Sequence, residues 1–201
     1  MRKIIFATSN EGKMDEIRYI LKGMDFKLLS LKDIGINVDI EENGKSFEEN
    51  AIIKAEAISK MTGEIVMADD SGLEVDYLDK APGIYSARYL GEDTPYSVKN
   101  SYILNQLKNI RMDQRSARFV CVIACSFPDS NTITRTGIIE GAIAEKISGS
   151  NGFGYDPIFL VPELKCTTAE MPVELKNQIS HRGKALRAIK EVLSDYLANN
   201  N

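Results

Sequence analysis

The spacing of apolar residues predicts helices in the first third of the chain. After Asn10, a good helix N-cap, apolar residues recur at helical intervals: Met14, Ile17 and Leu21. A second helix is expected after Ser46, because Glu49 follows it with capping-box spacing and Gly63 supplies a stop. Further helices are predicted from Thr94-Pro95 and from about Ser180 to the end.

Apolar runs predict the strands, at residues 3–7, 65–68, 117–127, 132–140, 142–147 and 157–161. The strand at 65–68 is expected to end at an acidic turn that begins with Asp69. Helices near both ends and hairpins in the middle predict a mixed α/β sheet rather than an all-parallel one.

Composition narrows the class of protein. The chain has 201 residues, 43% of them hydrophobic and 27% charged, which is typical of one globular domain. A formal charge of −4, with scattered Lys and Arg, argues against a nucleic-acid polymer as partner. No apolar run approaches the ~18 residues of a membrane span, so we expect a cytoplasmic protein. Three cysteines without metal spacing are expected to be buried thiols, and one histidine excludes a multi-imidazole site within one chain.

Residues 8–13 form the first candidate site. Small polar residues precede a predicted helix N-terminus, and Lys13 lies in its first turn. Free backbone N–H groups, the positive end of the helix dipole and a lysine together favour a phosphate. The alternative is an ordinary capped helix start.

Acidic pairs form the second candidate. Asp69 and Asp70 follow a buried strand, and Glu41 and Glu42 precede a turn. Carboxylates at a strand end suit Mg²⁺ or a general base, and alternation along a strand predicts that only one of Asp69 and Asp70 faces a given site. The alternatives are an Asp-rich turn and a solvated loop.

Two later segments are the third and fourth candidate sites. Residues 148–157 combine three glycines with Phe153 and Tyr155, whose rings could stack on a base. Lys176 and residues 180–184 place cations at a helix N-terminus, against the usual preference for acids, which favours an anionic ligand there. The alternatives are a glycine-rich turn and a basic surface turn. Together the four segments predict a metal-dependent nucleotide-phosphate site.

These segments together resemble the inosine/xanthosine triphosphate pyrophosphatase family. The matching stretches occur in the family's order across nearly the whole chain: TSNEGK (8–13), SFEENA (46–51), KA (54–55), ADDSGL (68–73), PGIYSARY (82–89), GFGYDPIF (152–159), Lys176 and ISHRG (179–183). The resemblance implies one catalytic domain over residues 1–201, with an elongated central sheet, flanking helices and two lobes around a cleft. It also implies a homodimer that uses Mg²⁺ to hydrolyse ITP, dITP or XTP to the monophosphate and pyrophosphate.

The resemblance also implies roles for single residues. It assigns the metal to Glu42 and Asp70, with Asp70 also accepting the proton of the attacking water, although Glu41 remains an alternative metal ligand. The implied phosphate contacts are Thr8, Ser9, Asn10, Glu11, Gly12 and Lys13, and the further substrate contacts are Lys54, Ser71 and Lys176. The implied base pocket consists of Phe153, Gly154, Tyr155 and Asp156, with His181 and Arg182 reading the 6-keto edge. Guanine also has a 6-keto group, so Arg182 alone does not exclude GTP.

Two other functions stay open at this point. The tripeptide Asp70-Ser71-Gly72 also occurs in aspartic proteases, but those are nearly all-β and have no use for the lysine-rich helices. A non-catalytic nucleotide-binding module could use the same residues, although binding alone needs no general base.

Overall fold

The computed structural model describes residues 2–128 and 130–199 as a mixed α/β fold. Within them the helices are α1 (Glu11–Ile20), α2 (Phe47–Thr62), α3 (Tyr96–Gln106), α4 (Val173–Ile179) and α5 (His181–Asn199). The strands are β1 (Arg2–Phe6), β2 (Phe26–Ser30), β3 (Ile65–Val75), β4 (Ser116–Ser126), β5 (Ile133–Ile143), β6 (Phe159–Val161) and β7 (Cys166–Thr167). They form one sheet in the order β2-β1-β3-β4-β5-β6-β7, with β1 parallel to β2 and β3, and β6 antiparallel to β5 and β7. The predicted mixed sheet is confirmed.

The caps of α1 and α2 form as their sequences predict. The Asn10 side chain accepts the N–H of Lys13, and the Ser46 side chain accepts the N–H of Glu49. The Glu49 carboxylate, however, accepts the N–H of Lys45 at 2.6 Å, one residue before the cap. Gly63 ends α2 with a φ of 69°, a left-handed conformation that costs glycine little.

Two strand boundaries differ from the prediction. The strand expected to end at residue 68 continues to Val75, so Asp69 and Asp70 lie inside β3 and not in a turn after it. The strand continues because Leu73 and Val75 beyond the acidic pair are fully buried. The strand predicted at 132–140 is β5, which continues through Gly141 to Ile143, and an added Cβ at Gly141 would meet the Leu160 carbonyl oxygen at 2.5 Å. The separate strand predicted at 142–147 is wrong, because residues 144–147 lie outside any strand.

The chain divides into two compact units, and each has its own apolar core. The first contains the residues up to Asp70, Cys121–Gly137 and the residues from Arg182 onward, and the second contains Ser71–Val120 and Ile138–His181. In the first, the buried core includes Phe6, Ile17, Met67, Ile123 and Leu186. In the second, it includes Leu73, Ile103, Phe119, Ile143 and Phe159. The implied organisation of residues 1–201 as one catalytic domain with a cleft stays a prediction.

The cysteines of the described residues are free thiols. Cys121 and Cys125 are buried and Cys166 is partly buried, and none is in a disulfide. Burial raises the pKa of Cys121 and of Cys125 to about 12, so these thiols stay protonated at neutral pH and act as small apolar residues. No helix in the described part of the chain is long and apolar enough to cross a membrane.

Candidate functional site

Asp69 is a buried carboxylate of the first unit that two cationic side chains contact. The Lys13 ammonium lies 3.0 Å from its Oδ1 and 2.8 Å from its Oδ2, and Nη2 of Arg182 lies 3.4 Å from Oδ2. Burial by itself would raise the pKa of Asp69, but the positive charges of Lys13, Arg182 and Lys54 outweigh it and hold the pKa well below its ordinary value. Asp69 is therefore an anion at any physiological pH.

Asp70 lies in a different environment, although it is the next residue of β3. Its Oδ2 accepts a hydrogen bond from Nδ2 of Asn50 at 3.2 Å, and its Oδ1 lies 3.4 Å from Nζ of Lys54. Burial raises the pKa of Asp70; Lys54 opposes this, while the negative charges of Glu42 and Asp69 add to it. The two carboxylates thus have different surroundings, and of the two only Asp70 combines burial with a raised proton affinity. The expectation that only one of them faces a given site stays a prediction.

The same lysine joins Asp70 to Glu42. Nζ of Lys54 lies 2.9 Å from Oε1 of Glu42 and 3.4 Å from Oδ1 of Asp70, so both carboxylates share one ammonium. Burial would lower the pKa of Lys54, but Asp70, Asp69 and Glu42 together raise it, so the lysine stays charged. Glu41 is exposed to solvent, so the geometry favours Glu42 of the two acidic neighbours.

The two carboxylates that contact Lys54, Glu42 and Asp70, could hold a magnesium ion. No group of three or more His, Cys, Asp or Glu that could hold a metal occurs among residues 2–128 and 130–199. Mg²⁺ does not need one, because it commonly takes one or two carboxylates and completes its shell with water and substrate phosphates. Glu42 and Asp70 both contact the Lys54 ammonium and so provide two carboxylates close to each other, which meets that requirement.

Arg182 is enclosed by acidic groups. Its side chain is 2% exposed, with Nη1 at 2.5 Å from Oε2 of Glu16 and Nη2 at 3.4 Å from Oδ2 of Asp69. The guanidinium thus connects helices α1 and α5 to strand β3 inside the first unit. The implied reading of a 6-keto group by Arg182 stays a prediction, and the structure adds a second role for the residue as the counter-ion of Asp69.

The implied phosphate segment, residues 8–13, consists of the end of the loop after β1 and the first turn of α1. Oγ1 of Thr8 accepts the N–H of Asn10 at 3.2 Å, while Ser9 and Asn10 are exposed and Gly12 is half-buried. Glu11 is on the surface, in ion pairs of 3.7 Å with Arg18 and Lys32. Asp69, Asp70 and Glu42, with the cations that contact them, form a carboxylate cluster. The Lys13 side chain is the part of the phosphate segment that reaches this cluster.

The second unit holds the glycine-rich loop, which is organised around Asp156. Its Oδ2 lies 2.6 Å from Nζ of Lys176 and accepts the N–H of Phe153 at 2.8 Å, while its Oδ1 accepts the Thr168 hydroxyl at 2.8 Å. Lys176 also lies 5.0 Å from the centroid of the Phe153 ring. Because Asp156 is 3% exposed and already accepts three donors, it acts as the anchor of the loop.

Gly152 makes this arrangement possible. Its φ of +73° is unfavourable for residues with a side chain. An added Cβ would also meet Nζ of Lys176 at 2.8 Å and press still closer on Oδ2 of Asp156. The glycine is thus required both by its backbone conformation and by the buried ion pair beside it.

Tyr155, His181 and Ser71 take positions that the sequence did not specify. The Tyr155 ring is in the core of the second unit, with its hydroxyl donating to the Ser86 carbonyl at 2.8 Å, whereas the Phe153 ring is half-buried. His181 is buried and stacks on Phe119 with ring centroids 4.7 Å apart. Ser71 is half-buried in β3. Substrate contacts of these residues stay predictions, as do those of Lys54 and Lys176.

Sequence reasoning gave no role to three residues that support the site. Asn50 holds Asp70, and its position four residues before Lys54 places both on one face of α2, a spacing that could have revealed it. Thr168 bonds Asp156, and Glu16 pairs with Arg182 across 166 positions of the chain, separations that carry no local signal.

Comparisons with known proteins agree with this architecture. The Ham1 family model matches residues 4–192. A dITP/XTP pyrophosphatase of Clostridium perfringens is 51% identical over 98% of this chain and 100% of its own length, and one of Bacillus subtilis is 47% identical over 96% and 98%. The solved structure of the Staphylococcus aureus Ham1 protein, 43% identical, superposes with a TM-score of 0.87 over 97% of this chain and 100% of its own. The family resemblance carried by the sequence motifs is confirmed, and the chain belongs to the Ham1 family.

Proposed function

We propose that this protein hydrolyses deaminated purine nucleoside triphosphates, namely ITP, dITP and XTP, to the monophosphate and pyrophosphate. The observation that carries the proposal is the pair of adjacent carboxylates with opposite environments, Asp69 neutralised by Lys13 and Arg182, and Asp70 held with Glu42 on Lys54. Pairs of titratable groups with pKa values shifted apart are typical of sites that divide anchoring and proton transfer. Support comes from relatives named dITP/XTP pyrophosphatase that match 96% or more of the chain.

In this proposal Asp70 is the general base. A water molecule attacks the α-phosphorus, its proton passes to the Asp70 carboxylate, and the bond from the α-phosphorus to the oxygen bridging to the β-phosphorus breaks. That oxygen keeps the electron pair and leaves as part of pyrophosphate. Burial raises the pKa of Asp70, which makes its carboxylate a better proton acceptor than an exposed one.

Charge neutralisation is the second requirement, because a nucleoside triphosphate carries about four negative charges. Glu42 and Asp70 would hold Mg²⁺, which when bound neutralises phosphate oxygens and orients them for in-line attack. Lys13, in the first turn of α1, is the proposed cation for a phosphate, and its ion pair with Asp69 keeps it beside the two carboxylates. Lys54 pairs with both carboxylates in the absence of substrate. When Mg²⁺ neutralises them, the Lys54 ammonium is available to a phosphate oxygen.

Phe153 and Lys176, both in the second unit, are the proposed contacts of the base ring. The Phe153 ring is half-buried, and Lys176 beside it is held by Asp156, so a flat base has both an aromatic face and a fixed cation available in that unit. Arg182 is proposed to favour 6-keto purines, because a guanidinium only donates hydrogen bonds and so rejects the amino group of adenine.

We further propose that the protein is a cytoplasmic homodimer that acts on free nucleotides and not on nucleic-acid polymers. The net charge of −4 supports free nucleotides over a polymer. Exposed apolar side chains of the second unit support self-association: Tyr85, Leu90, Val98 and Tyr102. Light scattering should give twice the chain mass of 22.4 kDa, and a monomer mass at micromolar concentration would overturn the dimer.

The decisive experiment incubates the protein with ITP, XTP, dITP, GTP and ATP, each with Mg²⁺ and with EDTA, and assays pyrophosphate and inorganic phosphate separately. Pyrophosphate from ITP, dITP and XTP, little from ATP or GTP, and none with EDTA is the expected result. Inorganic phosphate alone would mean γ-phosphate cleavage and a wrong mechanism. Release of neither would leave the non-catalytic binding module, and ITP binding by calorimetry would then decide between that module and another substrate.

A further inference from the structure

Asn100 is a buried amide in the second unit with no role in the chemistry described above. It lies in α3 and is 3% exposed, and its Nδ2 donates to the Gly154 carbonyl at 3.1 Å. Its Oδ1 is buried and has no hydrogen-bond partner. Buried polar atoms usually have hydrogen-bond partners, and an unpaired one lowers the stability of the fold. The hydrogen bond from Asn100 to the backbone of the glycine-rich loop is the interaction that offsets this cost.

Two neighbouring residues of α3 contact the same part of the second unit. The Tyr96 ring packs edge-on against the Tyr155 ring, with centroids 5.2 Å apart. Nζ of Lys99 donates to the Ala87 carbonyl at 2.5 Å and lies 4.9 Å from the Tyr96 centroid. Tyr96, Lys99 and Asn100 share one face at the start of α3, by their spacing of three and four residues.

The loop is tied to a second segment, the one with the sequence PGIYSARY. The Tyr155 hydroxyl donates to the Ser86 carbonyl at 2.8 Å, and Oγ of Ser86 donates to the Gly83 carbonyl at 2.7 Å while it accepts the Leu73 N–H at 2.9 Å. This segment matched the family in sequence without an assigned role. Through these hydrogen bonds the segment holds the loop at Tyr155.

Between Phe153 and Tyr155, the backbone at Gly154 depends on Asn100. Gly154 has a φ of +66° and no side chain with which to anchor itself, so its carbonyl is the group by which the protein can hold it. Asp156 fixes the loop on one side, through the N–H of Phe153, and Asn100 fixes it on the other. The two bonds together restrain the backbone of Phe153 and Gly154.

We propose that Asn100 is a positioning residue for base recognition, which holds the Gly154 carbonyl so that the loop presents Phe153 to a purine. This rests on the proposed function, since it assigns a part to the base-binding loop of that same enzyme. Asn100 acts through the loop and lies outside the phosphate chemistry of Asp70, so its loss should weaken base binding and base preference and leave the turnover of bound substrate almost unchanged.

Asn100→Leu is the direct test, with Asn105→Leu as its matched control. Both asparagines lie in α3, but Asn105 is exposed. Leucine has a similar volume, and the change removes an unpaired Oδ1 together with the bond to Gly154, so the loss of stability should not exceed that of one hydrogen bond. The variants are compared by kcat and KM for ITP, XTP and ATP, by the dissociation constants of IMP and AMP from calorimetry, and by melting temperature.

For Asn100→Leu we expect KM for ITP and the dissociation constant of IMP to rise about three- to tenfold, the range given by the loss of one hydrogen bond. The preference for ITP over ATP should fall by a similar factor, kcat should stay within about twofold, and Asn105→Leu should match the wild type. If Asn100→Leu fails to fold, Asn100→Ala is measured in the same way.

Each remaining outcome has one meaning. Wild-type turnover with unchanged KM, IMP affinity and base preference in the variant overturns the positioning role and leaves the proposed function intact. A loss confined to kcat or to the melting temperature also overturns it, because base recognition would be unaffected. A wild-type protein that neither hydrolyses nor binds any purine nucleotide overturns the proposed function, and the positioning role falls with it.

Discussion

The carboxylate cluster of the first unit and the glycine-rich loop of the second solve different problems of stabilisation. In the cluster, Asp69, Asp70 and Glu42 are acids within reach of Lys13, Lys54 and Arg182, and almost every contact is between full charges. In the loop the ion pair between Lys176 and Asp156 is combined with hydrogen bonds from neutral donors, with aromatic rings and with glycines.

This difference indicates how each region can serve a reaction. The cluster fixes charge, because one carboxylate is held as an anion while its neighbour gains proton affinity. The loop fixes shape, because its glycines allow the backbone to approach Asp156 and Lys176 closely. Changes of charge in the cluster should therefore alter kcat, and changes of shape in the loop should alter KM and base preference.

Removing the charge of Asp70 should have the largest effect. Asp70→Asn keeps the size of the side chain and an oxygen that Asn50 can bond, but it loses the proton acceptor and one of the two metal-binding carboxylates. We expect kcat for ITP to fall by about 10³-fold or more, with the dissociation constant of IMP changed by less than about threefold. Pyrophosphate release and calorimetry measure the two quantities.

Glu41→Gln is the matched control for Asp70→Asn. Glu41 is an exposed carboxylate beside Glu42, so removing its charge changes the overall charge by the same amount without touching the cluster. Its kcat should equal that of the wild type. Turnover of Asp70→Asn within tenfold of the wild type would contradict the general-base assignment, and a large loss in Glu41→Gln would move the metal ligand to Glu41.

A side chain at Gly152 should give the largest effect on the loop. Gly152→Ala places a methyl group against Nζ of Lys176 and Oδ2 of Asp156 and imposes the strain of a positive φ. A cost of a few kcal/mol in the bound loop would raise KM for ITP roughly ten- to a hundredfold. The chemistry at Asp70 is not touched, so kcat should change by much less.

Gly23→Ala is the control that separates backbone strain at a positive φ from steric contact of the added methyl group. Gly23 has a φ of +87°, but an added Cβ would meet nothing within 4 Å. Its variant should melt a few degrees lower because of backbone strain alone, with KM and kcat unchanged. If Gly152→Ala behaves like Gly23→Ala, the close approach of the loop backbone to the ion pair has no functional importance.

Much of the fold could be predicted because its signals are local. The caps at Asn10 and Ser46, the stop at Gly63 and the apolar face of α5 each lie within a few residues of the element they control. The short strands β2 and β7 and helix α4 were missed because their stability comes from pairing and packing and not from their own pattern.

The candidate site could be predicted only in part. The roles of Asp70 and Lys54 stay predictions, and the lowered pKa of Asp69 depends on Lys13 and on Arg182, which lie 56 and 113 positions away in sequence. The core position of Tyr155 was also not evident, since a tyrosine beside glycines has the same sequence whether its ring stacks on a ligand or on the core. Long-range pairing decides both, and one sequence does not specify it.

Arg182→Lys should have an intermediate effect on the cluster. A lysine keeps the charge but not the fork that reaches both Glu16 and Asp69, so one buried carboxylate loses its partner. We expect a loss of about 2 kcal/mol in the free energy of unfolding, with a lower ITP-to-ATP ratio of kcat/KM if Arg182 also reads the 6-keto group. Lys184→Arg, an exposed change two residues further on, is the control. Unchanged stability would contradict the anchoring of Asp69, and an unchanged ratio would contradict the reading of the base.

The smallest effect should come from Tyr155→Phe, which removes a neutral hydrogen bond and nothing else. The Tyr155 ring stays against Tyr96 in the core, while the Ser86 carbonyl loses its donor. One such bond contributes about 1 kcal/mol, so the melting temperature should fall by about 2–4 °C. KM for ITP should rise by no more than a few-fold, because Asp156 and Asn100 still hold the loop. Tyr77→Phe, at an exposed tyrosine of the second unit, should change neither quantity. A loss of stability as large as that of Arg182→Lys would show that neutral bonds in the second unit are as important as charged ones in the first, and would remove the distinction between the two regions.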